Sequence, residues 1–222
     1  MTSSHQPHTP LRVLRLVASP RGAESQSLQL SQQILFALAT QAGRRGIELT
    51  DLNLTALPPV DAPYTHALAA PGALVAMPAA GALSRSDHLI SQLQACDVLL
   101  IATPMHNYSV PSGLKAWIDH VVRVGKTFIG TPKGKQGTLN NRPVYVAVSA
   151  GGYISGERAR QPDFLRPYLT AVLATIGLEQ VQYFTVEGTA KGPEALHLAH
   201  AEASEQVQAF FSGSSCVTGL RA

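Results

Sequence analysis

The chain has little charge, few cysteines and no long uninterrupted apolar run. Charged residues make up 14% of its 222 residues, and the net charge of +3 is not clustered, so a nucleic-acid partner is not expected. The two cysteines, Cys96 and Cys216, are far apart and lack the spacing of metal ligands. Prolines and glycines interrupt the uncharged segment Ala67–Leu83. This segment is therefore predicted to be an irregular surface insertion that covers a pocket, and not a membrane span.

The common signatures of hydrolases and of metal or P-loop sites are also missing. There is no Gly-x-Ser-x-Gly elbow, no histidine and cysteine cluster with zinc spacing, and no pair of carboxylates placed for glycosidase chemistry. No Gly-x-Gly-x-x-Gly loop is present, and Gly130–Gln136 has the wrong spacing for a Walker A loop. The sequence therefore predicts no metal site and no Rossmann or P-loop nucleotide site.

The size and composition fit one α/β domain in a reducing compartment. A chain of this length with 45% apolar residues can bury one sizeable core, and the few cysteines favour the cytoplasm. Residues 1–10 are polar and lack the apolar core of a signal peptide. We expect a disordered tail over residues 1–10, a globular domain over residues 11–211 and a flexible tail over residues 212–222.

Short apolar runs alternate with amphipathic segments along the chain, which predicts a doubly wound, five-stranded parallel sheet with helices on both faces. Glycines and lysines in Gly125–Arg142 predict an exposed hairpin or loop. The predicted strands are Arg12–Ala18, Ile47–Leu52, Val98–Ala102, Pro143–Ser149 and Gln180–Val186. The predicted helices are Ser27–Gly43, Ser86–Ala95, Val110–Val124, Pro162–Ile176 and Pro193–Phe211.

The loop after the first strand, Ser19–Ser27, leads directly into a helix. Free backbone N–H groups and the positive end of the helix dipole favour a phosphate there, and Ser25 and Ser27 add hydroxyl donors. The alternative is that Ser25 or Ser27 simply caps the helix, which is a common role of serine at a helix start. This loop alone therefore supports either a phosphate site or an ordinary capped helix.

The loop after the third strand, Pro104–Tyr108, combines apolar and aromatic side chains with an amide. Such a surface suits packing against a flat ring such as the isoalloxazine of a flavin, with Asn107 bonding the ring edge. The alternative is that Met105 fills a gap in the core and Asn107 serves the turn.

The loop after the fourth strand, Ser149–Tyr153, contains two adjacent glycines that let the backbone approach a ligand. Glycines after a strand are also ordinary turn residues. Because parallel strands end at the same edge of a sheet, we expect all three loops to line one ligand site.

At these residues the chain resembles the family of FMN-dependent NADH:quinone oxidoreductases and NADH-azoreductases, which has a flavodoxin-like fold. The similarity covers roughly residues 11–211. The matching segments are Ser19 with Ser25–Ser27, Pro104–Tyr108 followed by Pro111–Asp119, Gly125–Phe128, Ser149–Gly152, and Glu187–Gly188 with Gly192–Glu194.

The resemblance implies the chemistry and the residues of the site. It implies hydride transfer from NADH or NADPH through FMN to quinones and azo compounds, with the two substrates alternating in one pocket, and a homodimer with active sites near the interface. The residues expected to hold the FMN phosphate are Ser19, Ser25, Gln26 and Ser27. The residues expected to hold the isoalloxazine are Met105, His106, Asn107, Tyr108, Ser149, Ala150, Gly151 and Gly152.

Four positions depart from the residues usual in the family. His106 replaces a tyrosine, Ala150 replaces an arginine, and Gly130 and Val172 stand where aromatic residues often line the substrate pocket. These changes leave open which acceptor is used. His106 is a candidate proton donor, because histidine changes charge near neutral pH; the alternative is that it only stacks, as the tyrosine does.

The choice between NADH and NADPH also stays open. A basic cluster is a candidate contact for nicotinamide nucleotide phosphates, or else a solvated loop; it consists of Lys126, Lys133, Lys135 and Arg142. Two other classes of protein remain as alternatives to the enzyme, an FMN-binding electron carrier and a flavin-free interaction module.

Overall fold

The computed structural model of the protein describes residues 9–69 and 81–213. Its strands are β1 (Leu11–Val17), β2 (Ile47–Asn53), β3 (Val98–Pro104), β4 (Phe128–Thr131), β5 (Gly134–Gly137), β6 (Val144–Ser149) and β7 (Val181–Val186). Five of them form a parallel sheet in the order β2-β1-β3-β6-β7, and β4 and β5 form an antiparallel hairpin. Both the predicted sheet and the predicted hairpin are confirmed.

Helices cover both faces of this sheet, as predicted. They are α1 (Gln26–Ala42), α2 (Ala62–Ala69), α3 (Ser84–Ala95), α4 (Ser112–Val121), α5 (Leu165–Thr175) and α6 (Pro193–Gly213). Successive residues of a strand point to opposite faces, so β3 serves two cores. Its residues Val98 and Leu100 pack with α1 and α6, whereas Leu99 and Ile101 pack with α3, α4 and α5. None of the described helices is both long enough and apolar enough to cross a bilayer.

The prediction of an irregular segment before α3 was wrong at its start, because residues 62–69 form helix α2. The Asp61 carboxylate accepts a hydrogen bond from the Tyr64 backbone N–H at 2.9 Å and begins the helix. Tyr64 is buried, its hydroxyl donates to the Asp119 carbonyl at 3.2 Å, and its ring lies edge-on to His120 with the centroids 5.5 Å apart. These contacts hold α2 against α4. Residues 70–80 lie outside the described residues, and residues 81–83 form a bend and a turn before α3, as expected for an irregular segment.

Two helices are shorter than predicted, for identifiable local reasons. Helix α4 starts after Pro111, whose extended backbone acts as the N-cap. It ends before Arg123, whose backbone N–H donates to the Thr127 hydroxyl at 3.0 Å. Helix α5 starts at Leu165 because the Asp163 carboxylate accepts hydrogen bonds from the backbone N–H groups of Leu165 and Arg166.

The predicted tails lie almost entirely outside the described residues. At the carboxyl end, α6 continues through Gly213, past its predicted end at Phe211. The helical residues of the domain therefore reach slightly beyond the expected boundary.

Candidate functional site

The carboxyl ends of β1, β3 and β6 lie side by side at one edge of the sheet, with β3 in the middle. Backbone hydrogen bonds join the loops that follow them. The Ala18 N–H donates to the Ala102 carbonyl at 2.9 Å, and the Met105 N–H donates to the Ser149 carbonyl at 2.8 Å. The prediction that the three loops share one edge is confirmed. This edge contains the point between β1 and β3 where the strand order reverses, which is where doubly wound sheets bind their ligands.

The loop between β1 and α1 carries buried hydroxyl groups at the start of a helix. Ser19, Ser25 and Ser27 are 5%, 2% and 0% exposed, respectively. The Ser25 and Ser27 hydroxyl oxygens lie 3.1 Å apart and form a hydrogen bond. Hydroxyl groups buried next to the free N–H groups of a first helical turn suit an anion, because both supply donors.

Ser25 also caps the helix, as one interpretation of the sequence expected. Its hydroxyl oxygen accepts a hydrogen bond from the Leu28 backbone N–H at 3.3 Å. Accepting this bond leaves the Ser25 hydroxyl hydrogen free to donate. Capping and anion binding are therefore compatible at this residue.

Gln26 is tied to the last helix, which sequence reasoning missed. Its side-chain amide donates to the Glu24 carbonyl at 3.2 Å, and its side-chain oxygen accepts a hydrogen bond from the Nε2 of His200 on α6. Burial, together with the nearby His197, lowers the pKa of His200, so its ring favours the neutral form. A single histidine on an amphipathic helix gives no signal of such a contact in the sequence.

The loop after β3 closes into a tight two-residue turn. His106 and Ser109 exchange two backbone hydrogen bonds of 2.9 Å, and the turn residues Asn107 and Tyr108 have φ values of 48° and 67°. Positive φ is costly for a residue such as tyrosine, so the turn holds these side chains in a defined and strained position. His106, Asn107 and Tyr108 are all exposed at the sheet edge. Asn107 thus is a turn residue, as the alternative interpretation expected.

Met105, which precedes this turn, packs toward the core. Its side chain is partly buried and packs against the core beneath α3, α4 and α5. This placement agrees with a gap-filling role and still leaves part of the side chain accessible at the sheet edge.

The carbonyl groups of the loop after β6 tie it to the loop after β7. The carbonyls of Ala150, Gly151 and Gly152 accept hydrogen bonds of 3.1 Å from the backbone N–H groups of residues 188–190. Ala150 is 1% exposed, and its own N–H donates to the Val186 carbonyl. The exposed part of the loop is therefore Gly151, where an added Cβ would meet only the Ala190 side chain at 3.5 Å.

Two further residues shape this edge. Gln161 carries no sequence signal, whereas Glu187 belongs to a segment that resembles the family. The side chain of Gln161 lies between the two loops: its amide nitrogen is 4.0 Å from the Met105 sulfur, and its oxygen would be 2.9 Å from a Cβ on Gly152. The Glu187 carboxylate accepts hydrogen bonds from the Ile154 N–H at 2.7 Å and the Ser155 hydroxyl at 2.6 Å. Gln161 thus fixes Gly152 relative to Met105, and Glu187 fixes the loop that follows.

Three of the four residues of the basic cluster around the hairpin have partners within the protein. Arg142 donates to backbone carbonyls at the end of α3, including that of Leu93 at 2.8 Å, which is a structural role. The Lys126 ammonium is 3.9 Å from the Asp87 carboxylate, and the Lys135 ammonium lies 5.0 Å from the centre of the Phe128 ring. The solvated-loop interpretation describes these lysines better than a common phosphate site.

The sequence and fold match one class of proteins over nearly the whole described chain. A family model described as having a flavodoxin-like fold matches residues 11–211. The chain is 42% identical over 206 residues to FMN-dependent NADH:quinone oxidoreductase 4 of Pseudomonas fluorescens, which covers 92% of this chain and 98% of the relative. It is 39% identical to FMN-dependent NADH:quinone oxidoreductase 5 of Burkholderia lata, covering 85% of this chain and 90% of the relative.

Solved structures agree in fold. An azoreductase from Bacillus anthracis superposes with a TM-score of 0.78, at 22% identity, over 91% of this chain and 99% of that chain. These matches define a flavodoxin-like protein. Because the chain is 42% and 39% identical to the two relatives, it belongs to the family of FMN-dependent NADH:quinone oxidoreductases.

Proposed function

We propose that this chain is an FMN-dependent oxidoreductase that transfers hydride from NADH or NADPH to quinones and azo compounds. The observation that carries this proposal is the meeting, at one sheet edge, of a buried serine loop at a helix N-terminus with a strained aromatic turn and a glycine loop. Similarity to enzymes named for this activity supports it.

The serine loop fits the phosphate of FMN. Ser25 and Ser27 have buried hydroxyl groups next to the first turn of α1, and Ser19, in the same loop, is also buried. A phosphate placed there accepts from the hydroxyls and from the free backbone N–H groups of the helix. Gln26 contributes its backbone, while its side chain is held by His200.

The other two loops fit the isoalloxazine ring. The turn of His106, Asn107 and Tyr108 presents exposed side chains at the end of β3, and Gly151 leaves room for a ring at the end of β6. When bound, the flavin supplies the redox chemistry, because it accepts a hydride from the nicotinamide and delivers it to the acceptor. The residues of the chain bind and orient the two substrates in turn and shield the ring from water.

His106 is proposed as a proton source for the reduced acceptor. It is exposed on the turn, and two hydrogen bonds between the His106 and Ser109 backbones hold the turn itself. A charged imidazole near the acceptor stabilises the negative charge that develops during reduction.

The proposal includes a cytoplasmic homodimer. Tyr108 is 46% exposed and Phe164 is 58% exposed, and the Phe164 backbone N–H donates to the Tyr108 carbonyl at 3.0 Å. Two large apolar side chains next to the site suit coverage by a second copy. Light scattering is expected to give twice the mass of the chain, and a monomer at all concentrations would contradict the dimer.

Steady-state kinetics test the proposed mechanism. With NADH and a quinone varied together, we expect parallel double-reciprocal lines, because one pocket must release the first substrate before the second binds. Intersecting lines would contradict the alternation. Rapid reduction of a carrier protein without quinone turnover would favour the electron carrier, and failure to bind any flavin would favour the interaction module.

A further inference from the structure

A separate cavity of about 410 Å³ opens beside the glycine loop. Its lining consists of Gly152, Tyr153, Arg158, Arg160, Gln161 and Lys191. Three of these side chains are cationic and none is acidic. A cavity of this size accommodates a substituent or a fragment of a larger ligand.

The charges around this basic cavity do not cancel. Arg158 pairs with Glu202 at 3.0 Å, and its guanidinium lies 4.8 Å from the centre of the Tyr153 ring. Arg160 donates from one guanidinium nitrogen to the backbone carbonyls of Glu157 and Ala159, which leaves its full positive charge in place.

Lys191 adds a cation at the rim of the cavity. It is exposed, and its backbone N–H donates to the Gly188 carbonyl at 2.9 Å. The Glu187 carboxylate accepts hydrogen bonds from the Ile154 and Ser155 backbone N–H groups and keeps its negative charge. Among the described residues, the three cations of the lining are opposed by two nearby carboxylates, Glu202 and Glu187, so one net positive charge remains.

The basic cavity is connected to the proposed flavin site through Gln161. This side chain lies against Met105 and Gly152 on one side and lines the cavity on the other. A ligand that stacks at Gly151 and carries a charged extension would therefore have the extension directed toward Arg160 and Lys191.

The phosphate of FMN does not account for this positive charge. The serine loop follows β1, whereas the basic cavity lies beside the loop after β6, and β3 runs between these two strands. Neighbouring strands are about 4.8 Å apart, so the ends of β1 and β6 are separated by roughly 10 Å. A phosphate bound at the serine loop therefore does not lie in the basic cavity.

We propose that the basic cavity binds an oxyanionic group of a substrate that reaches the flavin. The inference rests on the proposed function and names the substrate chemistry of that same site. Guanidinium and ammonium groups recognise phosphate, sulfonate and carboxylate oxygens alike. The group is either the phosphates of the nicotinamide dinucleotide or a sulfonate or carboxylate carried by the acceptor.

Calorimetric titration of the flavin-loaded protein tests this proposal with three probes: ADP-ribose, naphthalene-2-sulfonate and the uncharged 2-naphthol. The variants are Lys191→Gln and Arg160→Gln. Lys133→Gln on the β4–β5 hairpin and Arg44→Gln near the start of β2 are the matched controls, since both remove an exposed charge outside the cavity. We expect each cavity variant to weaken at least one anionic probe about tenfold, or about 1.4 kcal/mol, and to leave 2-naphthol within about twofold.

Each outcome decides between sources or overturns the proposal. Weakened sulfonate binding assigns the cavity to the acceptor, and weakened ADP-ribose binding assigns it to the nucleotide phosphates. Unchanged binding of both anions, or an equal loss in the control variants, overturns the proposal. Turnover of an uncharged naphthoquinone is measured in parallel: its absence in the wild type faults the proposed function, whereas normal turnover without any variant effect on anion binding faults the cavity alone.

Discussion

Single replacements of three buried serines, the N-cap residue of α1 and two within the helix, separate flavin binding from helix stability. Ser27 bonds only to the Ser25 hydroxyl among the contacts found within the described residues, whereas Ser25 also caps the helix through the Leu28 N–H. Ser31, one turn further, donates to the Leu28 carbonyl at 2.7 Å and accepts from Arg15 at 3.3 Å. The three hydroxyls are equally buried, so differences between the variants report on their contacts.

The expected magnitudes follow from these contacts. A hydrogen bond to a charged group contributes about 1.5–3 kcal/mol, so Ser27→Ala is expected to weaken FMN binding roughly 10- to 150-fold with little effect on the flavin-free protein. Ser25→Ala is expected to cause a similar loss and, by removing the cap, to destabilise the flavin-free protein by about 1 kcal/mol. This corresponds to a Tm lower by about 2–4 °C for a domain of this size. The double variant is expected to lose several kcal/mol of FMN affinity.

Fluorescence titration with FMN and thermal unfolding of the flavin-free protein measure the two quantities. Ser31→Ala is the control, and it is expected to lower Tm while FMN affinity stays within about twofold of the wild type. Unchanged FMN affinity in Ser27→Ala, or an equal loss in Ser31→Ala, would refute the assignment of the phosphate to this loop.

Three further predictions concern other parts of the molecule. His106→Tyr is expected to keep FMN and nicotinamide oxidation but to slow acceptor reduction and flatten its pH dependence, measured in the oxidative half-reaction. Gly113→Ala is expected to cost about 1–3 kcal/mol of unfolding free energy, because its Cβ would lie 2.4 Å from the Leu54 carbonyl oxygen. The Arg12 side-chain hydrogen bond lowers the pKa of Asp97, so Asp97→Asn is expected to be less stable than the wild type at pH 7, with the gap closing below about pH 4.

A lowered carboxyl pKa means that the unfolded chain binds the proton more readily, so the stabilisation is present above the unfolded value and is lost in acid; a gap that widens in acid would contradict the pairing. Gly130→Ala is the control for Gly113→Ala, since its Cβ would meet nothing within 4 Å, and equal losses in the two would contradict the packing argument. Identical pH profiles of the wild type and His106→Tyr would reduce His106 to packing.

The sheet was predictable because its signals are local. Strands such as β3 are covered on both faces and read as continuous apolar runs, and the alternation of strands with amphipathic helices leaves few topologies. Helix α2 was missed because its stability comes from Tyr64 packing on His120 and from the Asp61 cap. The Tyr64 contact joins positions far apart in the chain. The Asp61 cap is local, but the alanine-rich sequence that follows it shows no strong helical period.

The three loops of the candidate site were predictable because each follows a strand at the same edge. What could not be predicted is which residues from elsewhere support them. The hydrogen bond between His200 and Gln26 joins the first and the last helix, α1 and α6. Gln161 reaches Met105 from the loop before α5. His200 and Gln161 are single polar residues outside any motif or periodic pattern, so the sequence does not indicate their partners. The contacts of the twelve named site residues with FMN stay a prediction.

Anaerobic reduction and reoxidation of the purified protein tests the central claim most directly. We expect the protein to bind FMN, NADH alone to remove the visible absorbance of the flavin, and a quinone added afterwards to restore it, because both substrates use the same bound ring in turn. A protein that takes up no FMN, or whose bound flavin is neither reduced by NADH or NADPH nor reoxidised by a quinone, would contradict the account.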